Sequence, residues 1–526
     1  MRGGSEMKKI VWAAACAMAL AAPAFFCACT DGGKDNKLVI ITTNDTHSNI
    51  DPGRDGLGGV MRRKALIDSI RGAEDNVLVI DAGDAVQGSL YFYLYGGKVE
   101  QEVLNMLGTD MRILGNHEFD NGVDSLAAVL KLSDATKLSS NYVLGNSALK
   151  GMFKPYEIKE INGHKIGFIG INLNPDGIVA KGNYDGVEFL PIVATANEMA
   201  RKLREEDKVE AVIAVSHIGY NPAGLVGDSI LAVNSRGIDV IIGGHSHDTI
   251  DPTTTEGLRR SHLLNLDGKP VLVTQTGKYG RSVGKIEINL DSLALGATPR
   301  YELLPVDARY DSHSDQAMAK MLAGYSAGVD SLMHDWIGTT DRMLKNSDPE
   351  LLNFFCDYVL DRGRELAPTV DLAITNKGGL RADIPEGNFS KGHIINMVPF
   401  RNYICVVELS GKDLADVFDV MAMTDGNGVS ENVRVKYQKN GNKPEVKEIL
   451  IDGRKLDPAR TYRVATIDYL ANGGDYMTGF TRGKVVGQSP DAVFDDLIYY
   501  FTDGKGKGQK LKASGENRWT AVANRE

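Results

Sequence analysis

Five short segments place Asp, Asn or His in one kind of position, just past an apolar run. Leu38–Thr42 leads into Asn44-Asp45-Thr46-His47, and Val77–Ile80 into Asp81-Ala82-Gly83-Asp84. Met111–Leu114 leads into Gly115-Asn116-His117-Glu118, Ala211–Val215 into Ser216-His217, and Val240–Ile242 into Gly243-Gly244-His245-Ser246-His247. Of the ten histidines in the chain, five fall in four of these clusters. One histidine after a strand is ordinarily a surface or capping residue; the recurrence is the signal. These residue types suit a pair of divalent cations, which hold a water and a phosphoryl oxygen together when ~3.5–4 Å apart. A shared carboxylate damps the repulsion between the ions. Neutral imidazoles and an amide oxygen complete the shells without cancelling the charge. Glycines beside the ligands permit sharp turns and close backbone approach.

The apolar runs that carry these residues read as buried strands, rich in Val, Ile and Leu and ended by polar clusters. Lys165–Ile171 and Val271–Thr274 belong to the same series. Helical patterns lie between them, at Gly59–Arg71, Val123–Leu132 and Ile192–Glu206. Alternation of strand and helix implies an α/β layered domain, and such sheets bind ligands beyond the carboxyl ends of their strands. Asp307–Ile337 is helical in pattern, with Met318, Leu322, Tyr325 and Leu332 near helical spacing, and reads as a connecting helix. A second unit with mixed strands and helices follows.

A chain of 526 residues is long enough for two or three domains. Its 43% hydrophobic and 24% charged content is that of a soluble globular protein. A net charge of -10 argues against nucleic acid or an acidic membrane as partner. It leaves room for a small anionic substrate, because bound ions dominate the field in a site. Met7-Lys8-Lys9 followed by the apolar run Ile10–Phe26 has the order of a secretory signal and is short for a membrane span. Cys27-Ala28-Cys29 and the polar stretch from Thr30 to Lys37 resemble a bacterial lipoprotein signal, with cleavage before Cys29 and lipid on it. Export to the periplasm or outer membrane is the expectation. Three of the five cysteines lie in this leader. Cys356 and Cys405 sit in apolar contexts and read as buried free thiols.

The motif series Asp45-x-His47, Gly83-Asp84-x-x-Gln87-Gly88-Ser89, Gly115-Asn116-His117-Glu118-Phe119-Asp120, Ser216-His217-x-Gly219 and Gly244-His245-Ser246-His247 resembles that of calcineurin-like metallophosphoesterases. Gln-Gly-Ser with Asn-His-Glu-Phe-Asp resembles the 5'-nucleotidase branch. The resemblance implies an α/β fold: a four-layer metallophosphoesterase β-sandwich flanked by helices, plus a smaller α+β C-terminal substrate domain. It implies a leader over 1–29, a tether over 30–37, the metallophosphoesterase domain over 38–305, a linker helix over 306–338 and the C-terminal domain over 339–526. It also implies two divalent metal ions, Zn, Mn or similar. One would take Asp45, His47, Asp84 and His247; the other would take Asp84, Asn116, His217 and His245. His117 would steady developing charge or protonate the leaving oxygen, with Asp120 orienting its ring. Asn44 and Gln87 would shape the backbone.

Three C-terminal segments resemble the hallmarks of the 5'-nucleotidase C-terminal domain: Asn376-Lys377-Gly378-Gly379-Leu380-Arg381, Val398-Pro399-Phe400-Arg401-Asn402 and Leu470-Ala471-Asn472-Gly473-Gly474-Asp475. Arg381 can offer a fork to phosphate. Phe400 can stack on a base, worth ~1–3 kcal/mol, with Asn402 at the base edge. Asn376, Gly379 and Tyr476 complete the expected substrate-binding set. The chain departs from the family where Tyr476-Met477 replaces a glycine and the second stacking ring, and where Gly483 stands at the expected ribose-binding acid. Arg342 is the candidate for a second phosphate-binding arginine. The implied reaction is hydrolysis of nucleoside 5'-phosphates to nucleoside and phosphate. The same site could serve a 2',3'-cyclic-nucleotide phosphodiesterase, a nucleotide-sugar pyrophosphatase, or a sulfate-ester or thiosulfate-handling homologue. A different class is a non-catalytic binding lipoprotein. The expected partner is a small nucleotide, with membrane contact only through Cys29.

Overall fold

The computed structural model describes residues 36–222, 224–293, 297–424, 426–440 and 443–522. The leader over 1–29, the lipid site at Cys29 and most of the tether lie outside the described residues; Lys37 already opens the first strand, Lys37–Thr43.

Every residue from Leu38 to Ile41 is buried. Successive strand side chains point to opposite faces, so both faces of this strand are covered. Leu38 and Ile40 join Ile80 and Met111 of the same sheet and Ile113 just beyond it, packed with Ile166, Phe168, Ile213, Val215, Val240 and Ile242 of a second sheet. Val39 and Ile41 point the other way, into a cluster with Val60, Leu66, Ile67 and Ile70 of the helix Val60–Ala73. On the outer face of the second sheet, Val212, Ala214 and Ile241 pack with Ala196, Ala200 and Leu203 of the helix Ile192–Glu205. The result is helix, sheet, sheet, helix: four layers with one core between the sheets and one outside each.

Each sheet has six strands. In the first, Lys37–Thr43 runs parallel to Val77–Asp81, with Ile40 opposite Leu78, and antiparallel to Ser282–Asn289, with Ile40 opposite Ile286. In the second, Val240–Ile242 lies parallel between Ala211–His217 and Pro270–Thr274. The central strands are therefore parallel and deliver their carboxyl ends to one rim. Antiparallel strands close the edges: Arg300–Pro305 beside Ser282–Asn289 in one sheet, and Tyr156–Ile161 beside His164–Asn172 in the other.

The second lobe is α+β. A five-stranded sheet holds Gly428–Val429, Leu372–Thr375, Thr461–Ile467, Tyr403–Ser410 and Lys484–Ala492 in that order. The helix Pro349–Leu366 buries Leu351, Phe355, Cys356 and Val359 in the same core as Leu372, Ile374, Val406 and Val464. Cys356 and Cys405 are buried free thiols, and burial pushes both up to about 12.

The helix between the lobes, Gln316–Met333, serves both. Met318, Leu322 and Tyr325 pack into the first lobe's outer core, and Leu332 and Met333 into the second lobe's core, with Val329 touching each. Among the described residues, no helix is long and apolar enough to cross a membrane.

Candidate active site

The five clusters meet at the rim where the parallel strands end. Their side chains arrive through strained backbone: Asp45 (φ 51°), His47 (φ 47°), Asp84 (φ 54°), His245 (φ 80°) and His247 (φ 58°) all occupy the left-handed region. Residues with a Cβ enter it at a cost of ~1–3 kcal/mol and cluster there at functional sites. Gly115 is required for a different reason. A Cβ at that position would sit 2.1 Å from Asp84 Oδ1.

Asp45, His47 and His247 form one group of converging ligand atoms, and Asp84, His217 and His245 another; His47, Asp84 and His117 form a third, in which the ligand atoms likewise lie within 4.8 Å of one another. His47 Nε2 is 2.9 Å from His247 Nε2, and His247 Nε2 is 3.4 Å from Asp45 Oδ1. His245 Nδ1 is 2.8 Å from Asn116 Oδ1. Asp84 Oδ2 lies 3.1 Å from His217 Nε2 and 4.0 Å from His47 Nε2, which puts this carboxylate between the two groups.

These residues fit a pair of divalent ions. Two imidazole nitrogens about 2.1 Å from one ion and at right angles sit about 3 Å apart, the spacing of His47 and His247. His217 Nδ1 donates to the Ala82 carbonyl at 2.7 Å, the second anchor that fixes a ligand histidine's tautomer. Its buried Nε2 faces the site, 3.1 Å from Asp84 Oδ2. Asp45 and Asp84 are buried, and among the described residues the basic side chains within 4.0 Å of their carboxylates are histidines rather than Lys or Arg. Buried carboxylates need cations.

Electrostatics sorts the histidines. Burial and then the Arg381 guanidinium hold His47 well below the ordinary value, and burial with His217 takes His245 down to about 4. Both are neutral, the form that donates a lone pair. For His117, burial acts downward, but the Asp120 and Asp84 carboxylates outweigh it and hold the imidazole above the ordinary value. Its Nδ1 lies 3.0 Å from Asp120 Oδ2, and its backbone N–H donates to Asp84 Oδ1 at 2.9 Å.

A supporting shell surrounds this centre. Asn44 shapes the first loop, donating to Asp45 Oδ2 at 2.6 Å and accepting from the Thr276 N–H at 2.9 Å. The carboxylate of Glu118 accepts the N–H groups of Asp84, Ala85 and Gly115 at 3.0, 3.0 and 2.6 Å. Arg112, fully buried, pairs with it at 3.1 Å and donates to Gln101 at 2.6 Å. Sequence spacing gives neither Glu118 nor Arg112 a role. The signal available was an ionisable residue inside an apolar run, one strand length before an acid.

The second lobe brings Arg381 and Phe400 to this rim. Arg381 Nη2 is 3.4 and 3.5 Å from the His47 ring nitrogens. The Phe400 ring centroid is 5.7 Å from that of His117 and 5.8 Å from the Arg381 guanidinium carbon. A cavity of about 920 Å³ runs from Asp84, Asn116 and His117 past Asn376, Gly379 and Arg381 to Phe400 and Asn402. Asp468, Tyr469 and Asn472 line it too, although only Asn472 lies in a motif picked out from sequence. Tyr476 does not line this cavity. Its ring sits against Gly177 and faces a different space. Met477 is fully buried in the lobe's core, because the segment after Gly474 turns inward, and so offers no second jaw. Arg342 is exposed and bonded to Glu350 at 2.7 Å, away from both cavities, and Gly483 packs against Val407.

Two families match along the chain: calcineurin-like phosphoesterase over residues 38–249, and the 5'-nucleotidase C-terminal domain over 329–482. The trifunctional nucleotide phosphoesterase protein YfkN of Bacillus subtilis (strain 168) is 27% identical over 533 residues; the match covers 91% of this chain but 34% of that protein's length. An apyrase of Tabanus yao is 28% identical, covering 89% of this chain and 92% of its own. The crystal structure of a 5'-nucleotidase precursor from Thermus thermophilus superposes with a TM-score of 0.81 at 28% identity, over 92% of this chain and 99% of that one. With both family domains present in order and a candidate dinuclear site on the first of them, the chain belongs to the 5'-nucleotidase family of metal-dependent phosphoester hydrolases.

Proposed function

We propose that the protein hydrolyses nucleoside 5'-phosphates to nucleoside and inorganic phosphate. The observation that carries this reading is the approach of Arg381 and Phe400 from one lobe to His47 and His117 of the other, within 3.5 Å for the guanidinium and 5.7 Å between rings. In this reading the metallophosphoesterase domain spans 38–305 and the substrate domain 339–526, joined over 306–338. One ion takes Asp45, His47, Asp84 and His247; the other takes Asp84, Asn116, His217 and His245. Bound there, the ions supply Lewis acidity toward the phosphoryl oxygens and a water acidified for attack.

The chain's own groups do the rest. Arg381 offers its fork to the phosphoryl oxygens; its buried Nε has no partner and is free to donate. Asp120 holds His117 Nδ1, which leaves Nε2 to steady the phosphoryl charge and to pass a proton to the departing 5'-oxygen. A bond forms from the water oxygen to phosphorus as the bond from phosphorus to the 5'-oxygen breaks. Phe400 stacks on the base, Asn402 meets its edge, and Asn376 and Gly379 form the floor. The names of the two relatives, a nucleotide phosphoesterase and an apyrase, agree with this class of substrate.

Phosphate release from AMP with Mn or Zn is the test, and no turnover with either metal overturns the reading. The leader supports export with lipid on Cys29; a Cys29→Ser variant is expected to leave the membrane fraction.

A further inference from the structure

The loop 174–187 follows the strand His164–Asn172 and touches the His117 turn at one place and the second lobe at another. Its root is fixed in the first lobe. Asn172 Nδ2 donates to the Leu114 carbonyl at 2.6 Å, and the Tyr142 hydroxyl donates to the Leu173 carbonyl at 2.6 Å. Val179, Tyr184 and Val187 then pack in one apolar cluster with Leu114, Phe119 and Val123, the residues around the turn His117–Phe119. Asn183 adds the polar contact. Its Nδ2 donates to the Asp120 carbonyl at 3.0 Å, and its own N–H donates to the Ala180 carbonyl at 3.0 Å. The Asp120 N–H donates to the His117 carbonyl at 3.1 Å. Asn183 therefore holds the backbone of the same turn whose side chains, Asp120 Oδ2 and His117 Nδ1, meet at 3.0 Å.

Six residues before Asn183 the loop meets the other lobe. The Tyr476 N–H donates to the Gly177 carbonyl at 3.4 Å, and the Tyr476 ring covers Gly177, where a Cβ would come within 2.9 Å of it. Gly177 has φ 82°, so backbone and space both require glycine there. The Tyr469 hydroxyl lies 3.2 Å from the Ile178 carbonyl and 2.8 Å from Asp475 Oδ1, placed to donate to either. Tyr476 itself sits in left-handed backbone at φ 60°. A bulky residue held there stores ~1–3 kcal/mol, and such strain persists where surrounding contacts over-determine it. Here those contacts are the two that Tyr476 makes to Gly177. The ring that is missing from the nucleoside cavity thus clasps a loop that ends on the turn of His117.

We propose that Asn183 is a positioning residue for His117, and that Tyr476 holds it in place from the second lobe. Tyr476 clasps the loop at Gly177, the clasped loop keeps Asn183 on the Asp120 carbonyl, and the turn so fixed keeps Asp120 on His117 Nδ1. His117 Nε2 then gives its proton to the departing 5'-oxygen. In that step the 5'-oxygen takes the electron pair of its breaking bond to phosphorus together with the proton from Nε2. The attacking water bonds to phosphorus and gives up a proton in turn. This inference rests on the role of His117 in the nucleotide reading above, and adds the residues that keep His117 in that role.

The test compares AMP with its analogue carrying sulfur in place of the bridging 5'-oxygen, on the full chain with Mn. A thiolate departs without a proton and an alkoxide does not, while base, ribose and phosphate are the same in both. Asn183→Ala and Tyr476→Ala are each expected to lower kcat for AMP roughly fivefold to tenfold, the scale of one hydrogen bond, and to leave kcat for the sulfur analogue within about twofold. Tyr476→Phe keeps the ring on Gly177 and restores AMP turnover. His117→Ala is expected to show the same selectivity on a larger scale, about 10²-fold or more. Hydrogen exchange reads the coupling without turnover: in the substrate-free protein, Tyr476→Ala is expected to speed exchange over 174–187 and over 118–122 alike. Equal losses on both substrates in the Asn183 and Tyr476 variants, a rise in KM alone, no loss, or faster exchange confined to the second lobe overturns the positioning role and leaves the nucleotidase reading standing. Equal losses in His117→Ala, or a wild-type protein that hydrolyses AMP alone, overturn His117 as proton donor and the positioning role with it. A wild-type protein that hydrolyses neither substrate overturns the nucleotidase reading itself.

Discussion

The metal-ligand rim and the nucleoside cavity face each other but are held by different means. Asp45, His47, Asp84 and His217 are almost fully buried and lie at or within four residues of the end of a core strand, and the first loop is tied by backbone hydrogen bonds from Asp45 N–H to Gly83 and from His47 N–H to Asp84. Phe400, on a loop, is half-buried, and Tyr476, at the end of the single 3-10 turn Gly474–Tyr476, is exposed; they are fixed by a ring contact and a glycine's missing side chain. Geometry written into strand ends tolerates little change, whereas a loop can keep its motif and turn its rings elsewhere. Catalytic chemistry is thus the rigid half of this enzyme, and substrate choice the adjustable half.

Substitutions should grade accordingly. Asp84→Asn removes the carboxylate that lies between both ligand groups, and kcat/KM for AMP is expected to fall by more than about 10³-fold, or ~4 kcal/mol of barrier. Chelation should abolish activity in the wild type, with Mn or Zn restoring it. Full activity in the Asn variant would remove the contrast between the two regions. His117→Ala should lower kcat about 10²–10⁴-fold with KM little changed, as expected for a proton-transfer group. A rise in KM alone would move His117 to the substrate side.

Glu118→Gln weakens the acceptor for three N–H groups of the ligand loops. Metal affinity, read by titrating activity against Mn, is expected to drop ~10–100-fold. Phe400→Ala should raise KM for AMP roughly tenfold, the scale of one stacked base, while leaving p-nitrophenyl phosphate unaffected. Equal damage with both substrates would make Phe400 a structural residue. Arg342→Ala is expected to change kcat/KM by less than about twofold, since an exposed ion pair contributes little.

The strands of the first lobe were legible because their apolar runs are buried on both faces and each stops at a polar cluster. Leu38–Thr42 differs from the observed strand by one residue at each end. The antiparallel edge hairpin of Ser282–Asn289 and Arg300–Pro305 was not: it is only half-buried, so its pattern mixes polar and apolar residues. All seven candidate ligands converge, because five strand ends on one rim leave them nowhere else to go. Tyr476, Met477 and Arg342 went elsewhere for a common reason. A loop residue's direction depends on its backbone angles and on the partners it finds, and neither is encoded in motif spacing.

The helix Gln316–Met333 has a consequence for how the molecule melts. Its first turns complete the outer core of one lobe and its last turns the core of the other, so neither lobe can lose this helix without exposing apolar surface in both. Stability is therefore shared across the lobes. An ion bound at the rim of the first lobe is expected to raise the unfolding temperature of the second, and calorimetry is expected to show one cooperative transition rather than two.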